Sequence, residues 1–455
     1  MGRVLLICND AVGERMAGPG IRYWEFARVL GRHFQVKLIV PPFVRMDSVP
    51  ATEGLPASLH VCAHTRELRS LVKNCDVIVT RGAVLTAYPF LIELGKPLVL
   101  DMYNPFLLEG LQRDVEAGLL EKLTSHENDL QALKLQLISG DFFICADEKQ
   151  RDYWLGMLST MGRVNPYNHQ HDPTLRRLID LVPFGLPEKP PQHTQPVLKG
   201  VYKTIAADDK VILWGGGIWN WFDAPTLIKA MPLILQQRTD VKLFFMGINR
   251  PNQNPAMMKA VDQAVALSKE LGLYERAILF NDWVPYEERQ NYLLEADLGV
   301  SLHLDNVETR FAFRTRLLDY VWAGLPFLST GGDVLSETLA VQGLARLVAP
   351  GDVDGVAQTI LSLLANPTLR ADCAPRFRQV VAGYRWEVVT RPLVEFCSAP
   401  HLAPDKAYLR QRGLSAEQQG ARRHLLAKSW RALRLGGVSG FLRQTGDYLR
   451  WIRSK

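Results

Sequence analysis

The sequence predicts an α/β chain of two doubly wound, Rossmann-like domains facing across a cleft, followed by a helical basic tail. Three observations carry this. Short apolar, β-rich runs alternate with helical stretches, and strands that are apolar almost throughout belong to parallel sheets covered on both faces. The scheme occurs twice, on either side of LVPFGLPEKPPQHTQP, where five prolines after Leu181 mark a linker. Residues 401–455 hold 12 Lys/Arg against 3 Asp/Glu, while the rest holds 41 against 44. The net charge of +6 is therefore a property of the tail, and no basic stripe in the body points to nucleic acid.

The first set of strands reads RVLLICN, QVKLIVP, LHVCAH, VIVTRG, PLVLDM and DFFICA. Helical patterns lie between them, including IRYWEFARVLGRH, TAYPFLIELG and a long polar stretch from about Glu109 to Ile138. The second set reads VILWGGG, VKLFFMG, AILFND, LGVSLH, PFLST and ARLVA. The boundaries that follow are a first domain at 1–185, a second at 192–384, a crossover helix at 385–398 and the tail at 401–455. Hydrophobic residues at 47% and charged residues at 22% are ordinary globular composition. No apolar run reaches about 18 residues, and the N-terminus reads as a strand rather than a signal peptide. Six cysteines with no CxxC pair predict buried thiols in a reducing cytosol, with the chain cytoplasmic or peripheral at the inner face of the cytoplasmic membrane.

In doubly wound sheets ligands bind beyond the carboxyl ends of the strands, so the residues just after each strand matter most. Gly18-Pro19-Gly20 opens the first helix, with Arg22 close behind. Gly215-Gly216-Gly217 follows the first strand of the second domain, and Asp223 is placed to cap a helix from Ala224. Trp219 and Trp221 either stack on a sugar or base or pack the domain interface. After LGVSLH come Glu308, Arg310, Arg314, Arg316 and Asp319 within twelve residues. In FRTRLLDYVWAGLP, the residues Leu317, Leu318, Val321 and Trp322 fit one buried helix face, ended by Gly324 and Pro326. Taken alone, Arg316 and Asp319 form a surface pair worth a few tenths of a kcal/mol. Beside two glycine turns, the arginines instead point to a phosphate-bearing ligand and the carboxylate to a ribose diol. Alanine at Arg314 or Arg316 is then expected to weaken binding with little change in melting temperature.

These segments resemble the GT-B nucleotide-sugar glycosyltransferases of family 4, the large group 1 family, best over residues about 200–397. LLDYVWAGLPFLST is similar to the family's Leu-Glu-x-x-x-x-Gly-x-Pro helix and strand, VILWGGG to its phosphate turn, and WVPYEERQNYLLEADLGVSLH to the segment beside the nucleobase. AGPGIRYWEFARVL and ICADEKQRDYW resemble a subset of bacterial members, and YRWEVVTRPLVEFC the helix that crosses back. The resemblance implies that Asp319 holds the ribose, that Gly215, Gly216, Gly217, Gly18 and Gly20 bind the donor, and that Trp283 lies beside its base. It implies an acceptor on the first domain, retention of configuration, and no metal or cofactor besides the nucleotide-diphosphate sugar substrate. This chain departs from the pattern. Eight residues before Asp319 stands Phe311 instead of an acid, leaving Glu308 as the nearest substitute. The phosphate turn lacks Arg and Lys, a role left to Arg314 and Arg316 as catalytic cations. VLDMYNPF lacks the family's His, leaving Asp101, Tyr103 and Asn104 as candidates.

The function implied is sugar transfer to a glycan or lipid-linked acceptor in cell-surface polysaccharide or glycoconjugate assembly. A nucleotide-sugar epimerase and a non-catalytic sugar-nucleotide or glycan-binding subunit remain as alternatives. His169-Gln-His171-Asp172 lies in the polar stretch NPYNHQHDP, which reads as a loop and not a metal site. In the tail, Ser415-x-x-Gln418 is a capping box before Leu425, Leu426, Trp430 and Leu433 at helical spacing. Phe441, Leu442, Tyr448, Leu449 and Ile452 repeat the pattern after Gly436-Gly437. Such helices either pack back onto the first domain or lie on an anionic membrane.

Overall fold

Two parallel sheets organise the chain, and their central strands are buried on both faces. The computed structural model describes residues 2–46, 52–113, 118–249 and 259–412. Of these, the residues up to Val12, Tyr23–Val182 and those from Arg391 onward form one compact unit; Gly13–Arg22 and Pro183–Thr390 form the other.

The first unit holds β1 (Arg3–Ile7), β2 (Gln35–Val40), β3 (Ser58–Val61), β4 (Val77–Thr80), β5 (Leu98–Asp101), β6 (Phe142–Cys145) and β7 (Ile179–Leu181). Their order is β3-β2-β1-β4-β5-β6-β7, and every pairing is parallel. All residues of β4, β5 and β6 are buried, as two covered faces require. The second unit holds β8 (Lys210–Trp214), β9 (Val241–Phe245), β10 (Ile278–Phe280), β11 (Leu298–Ser301), β12 (Phe327–Thr330) and β13 (Ala345–Val348). Its order is β10-β9-β8-β11-β12-β13, again wholly parallel. The chain order reverses between β1 and β4 in one sheet and between β8 and β11 in the other, which marks the two switch points.

Three local expectations are corrected. The stretch from Glu109 to Ile138 is two helices, Phe106–Arg113 and Leu119–Ser139. TAYPFLIELG is likewise split, into Val84–Ala87 and Phe90–Glu93, because Pro89 cannot donate inside a helix and takes the N-cap instead. The NPYNHQHDP stretch contains a helix, Pro166–His171, capped by Asn165 through its side-chain oxygen. Strand β7 is unforeseen; its three residues sit directly before the proline-rich linker.

Past Thr390 the helix Arg391–Ser398 lies in the first unit, where Phe396 stacks on Phe142 of β6 at 4.9 Å. Behind it, Arg163 and Asp405 form a fork with both side chains fully buried, at 2.8 and 3.1 Å. Arg163 Nη1 also donates to the Leu137 and Gly140 carbonyls, which helps offset the desolvation of the pair. The tail motifs from Ser415 onward lie outside the described residues. No described helix is long and apolar enough to cross a membrane.

Candidate functional site

At the β8/β11 switch point the triple-glycine turn leaves β8 and the segment 302–319 leaves β11. Gly216 takes φ +87°, which a side chain rarely adopts. At Gly215 a Cβ would come 3.1 Å from the Tyr320 ring, so glycine is what lets the turn lie on that ring. The Tyr320 hydroxyl accepts the Gly215 N–H at 2.8 Å and lies 3.0 and 2.9 Å from the Leu213 and Val300 carbonyls. Asp223 caps the helix Ala224–Gln237 through the Thr226 N–H, as its position predicts.

The helix Thr315–Trp322 carries the arginine segment and ends as FRTRLLDYVWAGLP predicts. Gly324 sits at φ +60°, and the Leu325 N–H returns to the Tyr320 carbonyl at 2.8 Å. Arg316 and Tyr320, one turn apart, reach the same glycine turn. Arg316 Nη2 donates to the Gly217 carbonyl at 2.8 Å, with the guanidinium over Phe222 at 4.0 Å and Trp214 at 4.6 Å. Burial lowers the Arg316 guanidinium to about 10, which leaves it cationic at neutral pH. Its Nη1 is buried without a hydrogen-bond partner among the described residues.

Arg314 and Glu308 are bound to each other. Arg314 Nη1 and Nη2 donate to the two Glu308 oxygens at 3.0 and 2.7 Å, and both side chains are almost wholly buried. Two expectations change with this. Glu308 has both oxygens committed to a cation, so its first task is to hold Arg314. Alanine at either residue also leaves a buried charge unpaired, so the melting temperature will not stay unchanged. Asp319 does not pair with Arg316; its partner is Arg289, 3.3 Å from Oδ1. Trp219 and Trp221 stack on each other at 5.6 Å and 8°, half-buried against the core, and it is Phe222 that meets the arginines.

Beneath the arginines lies His303, fully buried at the end of β11, a residue the motifs pass over. Its Nδ1 lies 2.7 Å from the Thr330 hydroxyl and its Nε2 3.1 Å from the Ser301 hydroxyl. Burial, then Arg314 and Arg316, hold its pKa well below the usual value. Trp283 lies against Gly247, where a Cβ would come 2.7 Å from the indole. Gly18 and Gly20 stand in the first turn of the helix Gly18–Leu30, and Arg22 gives its Nη1 to the Pro183 carbonyl at 3.0 Å.

Asp101 belongs to the other unit, at the carboxyl end of β5. It is buried and accepts the Tyr103 N–H at 3.3 Å. Arg81 Nη2 donates to Asn104 there at 2.8 Å, and Asn104 to Glu109 at 2.6 Å. Asp172 is committed to its own turn through Thr174 and Arg177. Asp352-Val353-Asp354 has the spacing of an Asp-x-Asp turn, but Asp352 caps the helix Val353–Leu364.

Residues 209–366 match the sequence model of the family described as glycosyl transferases group 1. No curated protein matches the chain. Among solved structures, the chain is similar to a sucrose-phosphate synthase from Thermosynechococcus elongatus at TM-score 0.60 and 16% identity, covering 87% of this chain and 98% of that one. It is similar to WaaG, a glycosyltransferase involved in lipopolysaccharide biosynthesis, at TM-score 0.60 and 15% identity, covering 87% and 100%. Anabaena HepE in complex with UDP and glucose follows at TM-score 0.58 and 12% identity, covering 88% and 100%. The chain thus has the two-domain, Rossmann-like GT-B fold, and its residues 209–366 carry the pattern of the group 1 glycosyl transferases.

Proposed function

We propose that the protein transfers a sugar from a nucleoside-diphosphate donor to a glycan or lipid-linked acceptor, with retention, in the assembly of a cell-surface polysaccharide or glycoconjugate. The observation that carries the reading is the buried Arg316, held against the Gly217 carbonyl through Nη2 with Nη1 left without a partner among the described residues. An unpaired buried donor is costly, and an anion at the glycine turn satisfies it. A diphosphate there meets Arg316 Nη1 and the close-lying backbone of the glycine turn, a placement suited to stabilising the leaving group. Asp319, with 31% of its side chain accessible, is then the acceptor for the ribose hydroxyls. Similar structures were solved with UDP, which favours a nucleotide sugar as substrate. We assign no metal a part, because Arg316 supplies the cation at the glycine turn.

The test is incubation with a panel of nucleotide sugars and analysis of the products. Release of a nucleoside diphosphate, by transfer or slow hydrolysis and undiminished by excess chelator, is the expected result. Isomerised sugar would make the protein an epimerase, and binding without turnover a non-catalytic subunit. Activity lost to chelator and restored by manganese or magnesium would overturn the metal-free assignment.

A further inference from the structure

We infer that Arg289 is a positioning residue that aims Asp319 at the ribose and thereby sets a preference for ribonucleotides, an inference that rests on the role proposed for Asp319. Arg289 is held from four sides. Its Nη1 donates to the Tyr286 carbonyl at 2.6 Å and its Nε to Asp319 Oδ1 at 3.3 Å. Its guanidinium carbon lies 3.8 Å from the centroid of the Tyr286 ring and 4.7 Å from that of Trp322. The Trp322 ring is itself held, its Nε1 donating to the Lys189 carbonyl at 3.0 Å, and the backbone N–H of Tyr286 is bound to the Glu14 carbonyl at 2.9 Å. A planar cation fixed in this way has one orientation to offer.

The pair is asymmetric, with side-chain exposure of 7% for the cation and 31% for the carboxylate. Arg289 therefore approaches from the protein side and occupies Oδ1, while Oδ2 has no hydrogen-bond partner among the described residues. A carboxylate pinned at one oxygen and open at the other suits the acceptance of a hydroxyl from a ligand. Burial raises the Asp319 carboxyl above its ordinary range, and Arg289 opposes that rise. The groups that act on it are Arg289 from the segment after β10 and Arg316 from its own helix. Without Arg289 the carboxyl is expected to rise further and to lose its fixed direction.

The experiment compares a nucleoside diphosphate, whichever of UDP, GDP and ADP binds best, with its 2′-deoxy and 3′-deoxy forms by calorimetry. Wild type is expected to prefer the ribonucleotide by about tenfold or more, since a site built for a hydroxyl rejects the analogue lacking it. Arg289→Gln is expected to bring the preference within about threefold, with ribonucleotide affinity falling more steeply than in wild type as pH is lowered, because the carboxyl without its cation rises further. Arg289→Lys keeps the charge but not the plane, so its preference falls while its pH dependence stays that of wild type; it decides the matter if the Gln variant does not fold. A wild type blind to the missing hydroxyls removes the ribose role of Asp319, and with it this inference. A wild type that discriminates, beside a folded Arg289 variant that does so equally, overturns the inference alone.

Discussion

Arg314 and Glu308 show how far one contact can change what a residue is expected to do. A rim arginine can be truncated with little structural consequence, but one forked onto a buried glutamate cannot. Arg314→Ala is expected to lower stability by about 3–5 kcal/mol, and the double variant with Glu308→Ala to recover part of that loss. Thermal unfolding of both single variants and the double checks this; simple additivity would remove the pairing from the account. Arg316→Ala is expected to weaken nucleoside-diphosphate binding by about ten- to a hundredfold, the value of one charge-assisted contact. Its measure is calorimetry on protein shown to be folded. His303 makes a prediction in pH. Its folded pKa is depressed, so the unfolded chain takes up a proton that the folded chain refuses, and stability falls as pH drops below about 6.5. His303→Gln should flatten the melting-temperature profile between about pH 7 and 5.5. A profile as steep as that of wild type would show that other groups set it.

At the scale of elements, the helix Thr315–Trp322 and the turn at Gly215–Gly217 act as one piece, joined by Arg316 and Tyr320. Tyr320→Phe keeps the ring that Gly215 packs on and removes only the hydroxyl. The Gly215 N–H and two carbonyls then lose their partner, a change of about 1–3 kcal/mol in stability. Nucleoside-diphosphate affinity should fall with it, although Tyr320 need not touch the ligand; unchanged affinity in calorimetry would uncouple the turn from the helix. These elements also show what was legible in advance. Strand runs, the cap at Asp223 and the Gly324 terminus could be read because each depends on residues close in sequence. The Arg289–Asp319 pair spans thirty residues and the Tyr320–Gly215 bond more than a hundred, and no local period encodes either. His303 was within reach, since it closes the strand LGVSLH at the switch point where that rule directs attention. The split in TAYPFLIELG was legible too, in Pro89.

For the molecule as a whole, the open question is what the basic tail does, and the last described residues say where to cut. Asp405, fully buried against Arg163, belongs to the fold of the first unit, as does Lys406, 3.3 Å from Asp141. Truncation after Ser398 would leave Arg163 a buried cation without its carboxylate, at a cost of about 3–5 kcal/mol. Truncation after Arg412 spares those contacts. It removes the two amphipathic, arginine-rich segments that the sequence predicts from Ser415 onward. If they tether the protein to an anionic surface, the shorter chain keeps its melting temperature and its nucleotide binding but no longer sediments with anionic liposomes at low salt. Each lost cation near such a surface weakens attachment by about 1 kcal/mol, so the full-length protein should also be released as salt rises. A full-length protein that ignores these liposomes, or a chain ending at Arg412 that unfolds, would instead assign the tail to the body of the protein.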